Sequence, residues 1–312
     1  MHALPRVVAV VVTWNRRDLL VESLDAVRGQ STPVAAVVVV DNASDDGTAE
    51  VLAAYDGLDV VTLRENTGGA GGFAAGIERA LAEHRPDLVW LMDDDTVAEP
   101  SALEQALATY AQAEPTPALV ASRVVWTDGR DHPMNTPRRK PGATEHEVRK
   151  AQAVGAIPIR SASFVSILCD AVTIRERGLP VADYFLWNDD FEFSTRLLRG
   201  RSGLYCPASV VVHKTKAFGS TDADPGPRFY YEVRNKTWLY TRSDGLRPME
   251  KALYGGSTLR RWSRTILASR DRKTLWRGLG RGLLDGIRSG PRSNETVLAR
   301  ARTVATDRPD GE

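Results

Sequence analysis

The chain has 312 residues, 41 basic and 40 acidic, for a formal net charge of +1. That balance excludes a wholly basic chromatin-like protein and an acidic disordered one; 42% hydrophobic and 26% charged residues suit a globular chain of one large domain or two modest ones. With only Cys169 and Cys206, a disulfide framework and a cysteine-based zinc site are excluded, and a reducing compartment is expected.

Residues 7–12 are a continuous run of Val and Ala ending in Thr13-Trp14-Asn15, which suits a strand buried on both faces. No window reaches the roughly 18 apolar residues of a membrane span. No small-residue cleavage site precedes the polar stretch from Asn15 to Asp18, so a cytosolic chain is expected. Apolar spacing then predicts a helix over 19–28, a second buried strand over 36–40 ending in Asp41-Asn42, a helix over 49–55 and a strand over 60–63. A glycine-rich turn at 66–72 leads to a helix over 73–83. A fourth strand, 88–92, ends in Asp93-Asp94-Asp95, and 101–112 is helical. Strands alternating with helices imply a parallel, doubly wound sheet. Such sheets bind ligands at the carboxyl ends of their strands, where Thr13, Asn15, Asp41, Asn42, residues 66–72 and the aspartate triplet all fall.

The second half is less regular. Strands are predicted over 120–126, 164–168, 204–207 and 210–213, and helices over 171–177, 190–199, 228–240 and 253–287, the last broken around 269–273. Polar residues 127–150 read as a loop or flap.

Three adjacent carboxylates at a buried strand end repel one another unless a cation or donors compensate, and hard oxygen ligands suit Mg²⁺ or Mn²⁺. The alternative is a solvated acidic turn. Asn66-Thr67-Gly68-Gly69-Ala70-Gly71-Gly72 opens a helix, where backbone amides can approach a phosphate, or where a tight turn simply packs helix on strand. Trp187-Asn188-Asp189-Asp190-Phe191-Glu192 puts three carboxylates at a helix start; one can cap it and another act as a base, with Tyr184, Phe185 and Trp187 as a platform for a sugar ring. His213 ends an apolar strand downstream of both acidic clusters and is the best non-carboxylate ligand if a metal is present. Tyr231, Arg234 and Asn235 fall on neighbouring helical turns, and Arg234 can reach phosphate oxygens.

Together these residues resemble family-2 glycosyltransferases of the α/β GT-A nucleotide-sugar fold, a mostly parallel, Rossmann-like sheet flanked by helices. The resemblance runs over about residues 7–240: Val-Val-Thr-Trp-Asn-Arg, Val-Asp-Asn-Ala-Ser-Asp-Asp-Gly-Thr, Asn-Thr-Gly-Gly-Ala-Gly-Gly-Phe and the aspartate triplet occur in the family's order. Gly-Gly-Ala-Gly-Gly-Phe, Asp-Asp-Asp, Trp-Asn-Asp-Asp-Phe-Glu and the later His resemble the bacterial galactofuranosyltransferases that initiate cell-wall galactan; rhamnosyltransferases using dTDP-rhamnose share much of the pattern. Residues 127–150 match no motif of the family.

The resemblance implies a transferase domain over 1–240, with a nucleotide-binding half to 115 and an acceptor half beyond. It implies that Thr13, Asn15 and Asp41 hold the nucleoside, that Asn66, Gly68 and Gly69 line the donor, and that Asp94 contacts the ribose. Asp93, Asp95 and His213 would bind Mn²⁺ or Mg²⁺, and Asp190 would be the base of an inverting transfer. Trp187, Asp189 and Glu192 would orient the acceptor, a polyprenyl-diphosphate-linked glycan, and Arg234 would bind a diphosphate. The donor would be a UDP- or dTDP-sugar.

The net charge hides a split. Residues 247–292 carry 12 basic and 3 acidic side chains, a local balance of +9 that leaves −8 elsewhere. Trp262, Ile266, Trp276, Leu283 and Ile287 interleave there with arginines, which fits amphipathic helices on an anionic membrane surface at the cytoplasmic face, or a helical pair packed on the body. The region 241–312 is expected to be helical with a disordered tail. No nucleic-acid recognition module accompanies the charge. A nicotinamide-dependent dehydrogenase is disfavoured by the broken glycine fingerprint and a nucleotidyltransferase by the lack of an early lysine-bearing loop; a non-catalytic sugar-nucleotide-binding relative is the rival outside enzymes.

Overall fold

A computed structural model describes residues 5–216, 218–219 and 224–302. Its N-terminal half alternates β1 (Val7–Thr13), α1 (Arg17–Arg28), β2 (Ala36–Asp41), α2 (Thr48–Ala53), β3 (Leu58–Thr62), α3 (Gly68–Arg79), β4 (Leu88–Asp93), β5 (Thr96–Ala98) and α4 (Ala102–Gln112). The valine run of β1 serves two cores at once. Val8, Val10 and Val12 pack with Phe73 and Ile77 of α3, whereas Val7, Ala9 and Val11 pack with Leu20 and Leu24 of α1 and Leu103 of α4. Both faces are covered by helices, so no polar residue interrupts the run. Parallel register sets Thr13 opposite Asp41 and Val12 opposite Asp93, which brings the polar strand ends to one rim.

The parallel arrangement holds for β3-β2-β1-β4 and then gives way to a mixed sheet. β9 (Ser166–Asp170) lies antiparallel between β4 and β6 (Leu119–Val125), and β10 (Gly203–His213) runs parallel to β6. β8 (Ile157–Ser161) pairs antiparallel with β10, and β7 (Arg138–Arg139) with β8. β5 also pairs with β10, Thr96 opposite His213, which carries the histidine to the aspartate triplet. β10 replaces the two short strands expected over 204–213: a bulge between Cys206 and Val210 takes up Pro207, which cannot donate to a ladder.

Two further expectations are corrected. The polar stretch 127–150 is not merely a loop: it holds β7 and the start of α5 (Glu145–Ala153), whose first turn is closed by reciprocal bonds between Thr144 and Glu147. The glycine segment is already helical from Gly68. Side chains at Gly72 and Gly76 would collide with Val12 and Val10, so these glycines let α3 lie tightly on β1.

Beyond α6 (Ala171–Arg177) and α7 (Asp189–Leu197) come α8 (Phe229–Thr241), α9 (Pro248–Ala268), α10 (Arg272–Arg288) and α11 (Asn294–Ala301). Phe229 and Val233 of α8, Trp262 and Ile266 of α9 and Leu275 of α10 form a separate small core. α11 returns to the first half, setting Leu298 against Ala74 and Ala75 of α3. The tail expected to be disordered lies, from residue 303, outside the described residues. Among the described residues, no helix is long and apolar enough to cross a membrane.

Candidate active site

The aspartate triplet sits where β4 stops. Two basic side chains flank it: Arg16, unnoticed in the sequence, bonds Asp95 and lies 3.6 Å from Asp94, and His213 Nε2 stands 3.0 Å from Asp95 Oδ1. Burial pushes Asp94 up to about 7, and burial with the neighbouring Asp95 pushes Asp93 up to about 6. Burial acts on Asp95 the same way, but His213 and Arg16 outweigh it and hold that carboxyl below its ordinary value. Burial likewise disfavours the His213 imidazolium, yet Asp95 and Asp93 prevail and raise it.

The residues fit a divalent cation. One ligand atom each from Asp93, Asp95 and His213 lies within 4.8 Å of the others. Asp95 Oδ1 is buried, and beyond its 3.0 Å contact with His213 Nε2 it has no hydrogen-bond partner among the described residues. Asn135 Oδ1 stands 2.9 Å from His213 Nδ1. By accepting a proton there it directs the other ring nitrogen toward the aspartates, the tautomer a metal ligand needs. Carboxylate oxygens with one imidazole suit Mn²⁺ or Mg²⁺.

Thr13 and Asp41 are buried side by side on β1 and β2; Asp41 Oδ1 accepts from Ser44 N (2.9 Å), and Thr13 Oγ1 has no hydrogen-bond partner among the described residues. Asn15 clasps the next loop, its amide donating to Asp45 Oδ1 (2.7 Å) and accepting from Asp45 N (2.8 Å). Asn66 Oδ1 accepts from Gly68 N (2.7 Å). Asn42, next to Asp41 at the end of β2, completes this clasp by accepting from Thr67 N (2.9 Å) and donating to Gly68 O (2.9 Å). Gly68 has φ +70° and faces the Phe185 carbonyl so closely that no side chain fits. Of the two glycines expected along the donor, only Gly69 lines the cleft described next.

A cleft of about 550 Å³ opens beside Asp93 and His213 and takes Trp187, Asp189 and Asp190 into its wall. The turn into α7 is strained: Phe185, Trp187 and Asn188 have φ of 65–66°, at about 1–3 kcal/mol each. Long-range bonds hold it. Asn235 Nδ2 donates to the carbonyls of Tyr184 (2.9 Å), Leu186 (2.9 Å) and Trp187 (2.8 Å), and Asn188 Nδ2 donates to Glu232 (2.8 Å). Asp190 Oδ1 accepts from Phe191 N (2.6 Å). Burial raises both carboxyls, Asp189 well above the ordinary value; for Asp190 the Phe191 amide, Arg138 and Lys236 work against the rise.

Several expected acceptor contacts are placed elsewhere. Arg234 does not line the cleft; it donates to the carbonyls of Asp183 (2.7 Å) and Tyr184 (3.2 Å) beneath Trp238 and so braces the strained turn. Glu192 is buried in a pair with Arg196 (2.8 Å) and accepts from Ser243 (2.8 Å). Tyr184 packs on Trp238 and Phe185 stacks on Tyr231, which leaves Trp187 as the aromatic of that group in the cleft. Apart from Arg196, one helical turn from Glu192, these partners are 50 or so residues distant in the chain, and no local pattern signals them.

Residues 8–172, from β1 into α6, match the profile of Glycosyl transferase family 2. The chain is 32% identical over 294 residues to galactofuranosyltransferase GlfT1 of Mycobacterium tuberculosis, covering 86% of this chain and 92% of that protein. In fold it is similar to S. aureus TarS 1–349 in complex with UDP-GlcNAc, with TM-score 0.62 and 17% identity over 95% of this chain and 83% of that one. It is also similar to mannosyltransferase PcManGT from Pyrobaculum calidifontis in complex with GDP-Man and Mn²⁺, with TM-score 0.55 and 20% identity over 96% and 79%. A profile that spans the sheet's first half, and a relative aligned along nearly its whole length, agree with the topology and its acidic rim: the chain belongs to glycosyl transferase family 2 and is a glycosyltransferase.

Proposed function

We propose that the chain is an inverting, divalent-metal-dependent galactofuranosyltransferase that moves galactofuranose from UDP-galactofuranose to a hydroxyl of a polyprenyl-diphosphate-linked glycan. The observation that carries the mechanism is that Asp190 shares one cleft with Asp93 and His213. Thr13, Asn15 and Asp41 hold the nucleoside at the strand ends, with Asn66 and Gly68 shaping the loop beside it and Asp94 toward the ribose. Asp93, Asp95 and His213 would hold Mn²⁺ or Mg²⁺, which when bound offsets the charge that grows on the departing diphosphate. Asp190 takes the proton of the acceptor hydroxyl. The freed oxygen attacks the anomeric carbon on the face opposite the diphosphate, the old carbon–oxygen bond breaks, and the configuration inverts. Trp187 packs against the acceptor, and Asp189 lies beside the base.

The GlfT1 identity supports the choice of sugar. Thermal-shift screening of nucleotide sugars with Mn²⁺, followed by transfer to a short lipid-linked acceptor, tests it. The expected result is stabilisation by UDP-galactofuranose and product formation. Stabilisation by dTDP-rhamnose with none by UDP-galactofuranose overturns the sugar assignment.

The basic C-terminal region reads as a peripheral contact with an anionic membrane at the cytoplasmic face. α10 supports this by its inverted packing. Gly278, Gly282 and Gly286 face α8 so closely that side chains would clash at the latter two, while Trp276 (60% exposed) and Ile287 (64%) project outward with Leu283 and Leu284. Lys273, Arg277, Arg281 and Arg288 are exposed on the same helix. Co-sedimentation with vesicles containing anionic lipid is expected, with little on neutral vesicles. Trp276→Ser with Ile287→Ser should weaken it roughly tenfold or more, and binding indifferent to lipid charge and to these changes counts against it.

A further inference from the structure

With Arg234 turned to backbone carbonyls, the anion-binding task expected of it passes to other side chains. Lys236 of α8 lines the cleft at only 6% exposure, and among the described residues its ammonium has no hydrogen bond or ion pair. Its close neighbours are the rings of Phe191 (4.6 Å) and Tyr240 (5.9 Å). Arg138 of β7 lines the same cleft, holds its guanidinium 5.3 Å from the same Phe191 ring, and likewise has no hydrogen bond or ion pair among the described residues. Arg261, also in this wall, is committed to Glu232. Burial pushes the Lys236 ammonium down to about 8; Glu232 and Asp190 pull it up, and Arg261 and Arg138 press it further down.

Two cations converging on one ring, one of them buried with no ion pair or hydrogen bond among the described residues, are unfavourable alone and become favourable around an anion. A guanidinium fork beside an ammonium suits the several oxygens of a phosphate. We propose that Lys236 and Arg138 form an anion subsite that binds a phosphate group carried by the acceptor. This rests on reading the cleft as the place of a diphosphate-linked acceptor. The donor's diphosphate is the rival source, but it is assigned to the strand ends at Asp93, Asp95 and His213, whereas Lys236 and Arg138 come from the acceptor half.

The test is calorimetric binding of a short prenyl diphosphate and, separately, of UDP with Mn²⁺, to the full chain and to Arg138→Gln, Lys236→Met and Lys236→Arg. Affinity for the prenyl diphosphate is expected to fall about ten- to a hundredfold in Arg138→Gln and Lys236→Met. Lys236→Arg retains most of it, and UDP affinity is unchanged throughout. The ratio of kcat/KM for a diphosphate-linked acceptor to that for the same saccharide as a neutral alkyl glycoside falls by a similar factor. Unchanged prenyl diphosphate binding in Arg138→Gln, an exposed position whose replacement spares the core, overturns the proposal. So does a parallel loss of UDP affinity, which assigns the cations to the donor. Binding needs no sugar transfer: were the galactofuranosyl reading wrong, turnover would fail in the unaltered chain while the diphosphate still bound and the variants still lost it.

Discussion

Asp190→Asn is expected to lower turnover by about 10²–10⁴-fold while leaving the affinity for UDP and Mn²⁺ within about twofold. Asparagine keeps the size of the side chain and an oxygen for the Phe191 amide, so the strained turn into α7 retains its partners. What it loses is a carboxylate able to accept a proton. Asp189 is a poor substitute, because burial pushes its carboxyl well above the ordinary range and disfavours the ionised form. Asp190 is itself raised by burial, less so because the Phe191 amide, Arg138 and Lys236 oppose it. As the proposed base it must be ionised for turnover. The acid limb of the pH profile should therefore lie above the usual carboxylate range, activity falling as pH drops through it, and this limb should vanish with the variant. Radiolabelled sugar transfer, with calorimetry for UDP, measures both effects; near-normal turnover in Asp190→Asn sinks the base assignment.

The second large effect is expected at Asp95. Asp95→Ala removes a carboxylate placed between Arg16 and His213, and affinity for Mn²⁺ should fall by about a hundredfold or more, beyond the cost of losing an outer partner of a metal ligand. Paramagnetic resonance of free Mn²⁺ reads this directly. Asn135→Ala, which frees the far nitrogen of His213, should cost only about tenfold. Treating the unaltered chain with a chelator should abolish the thermal shift given by UDP-sugar. A metal titration unchanged in Asp95→Ala would remove Asp95 from the ligand set, and its melting temperature guards against mistaking unfolding for lost affinity.

The parts of this molecule that could be read from the chain are those where both faces of a strand are buried. β1, β2 and β4 appear as unbroken apolar runs because helices cover each side, and the polar residues after them mark the rim. The antiparallel half was harder. β8 carries Pro158, and β7 is two exposed arginines, so neither has an apolar signature. α5 did have one local sign, Thr144 three residues before Glu147, inside a stretch otherwise read as a loop. At the site, the aspartates and His213 stood out by position. Arg16, Asn135 and Glu232 did not, since each acts through a partner between about 40 and 80 residues away. In α10 the hydrophobic residues were visible but their direction was not: only the backbone reveals that glycines face inward and Trp276 outward.

The segment that leads into α11 bears on when the site comes into being. Arg292 grips the Asp183 carboxylate through its backbone amide (2.8 Å) and its guanidinium (2.6 Å), and Asn294 accepts from Ala182 N (2.8 Å) and donates to Pro180 O (2.7 Å). These bonds fasten the segment just before Asp189 and Asp190. During synthesis the ten strands of the described residues are complete once His213 has been made, yet the turn into α7 waits some eighty residues longer for its final fastening. A nascent or prematurely ended chain therefore owns the sheet and its acidic rim before it owns a firmly seated turn at Asp189 and Asp190. On the roles proposed for these residues, capacity to hold an activated sugar precedes capacity to spend it, and the C-terminal segment is the latch between the two.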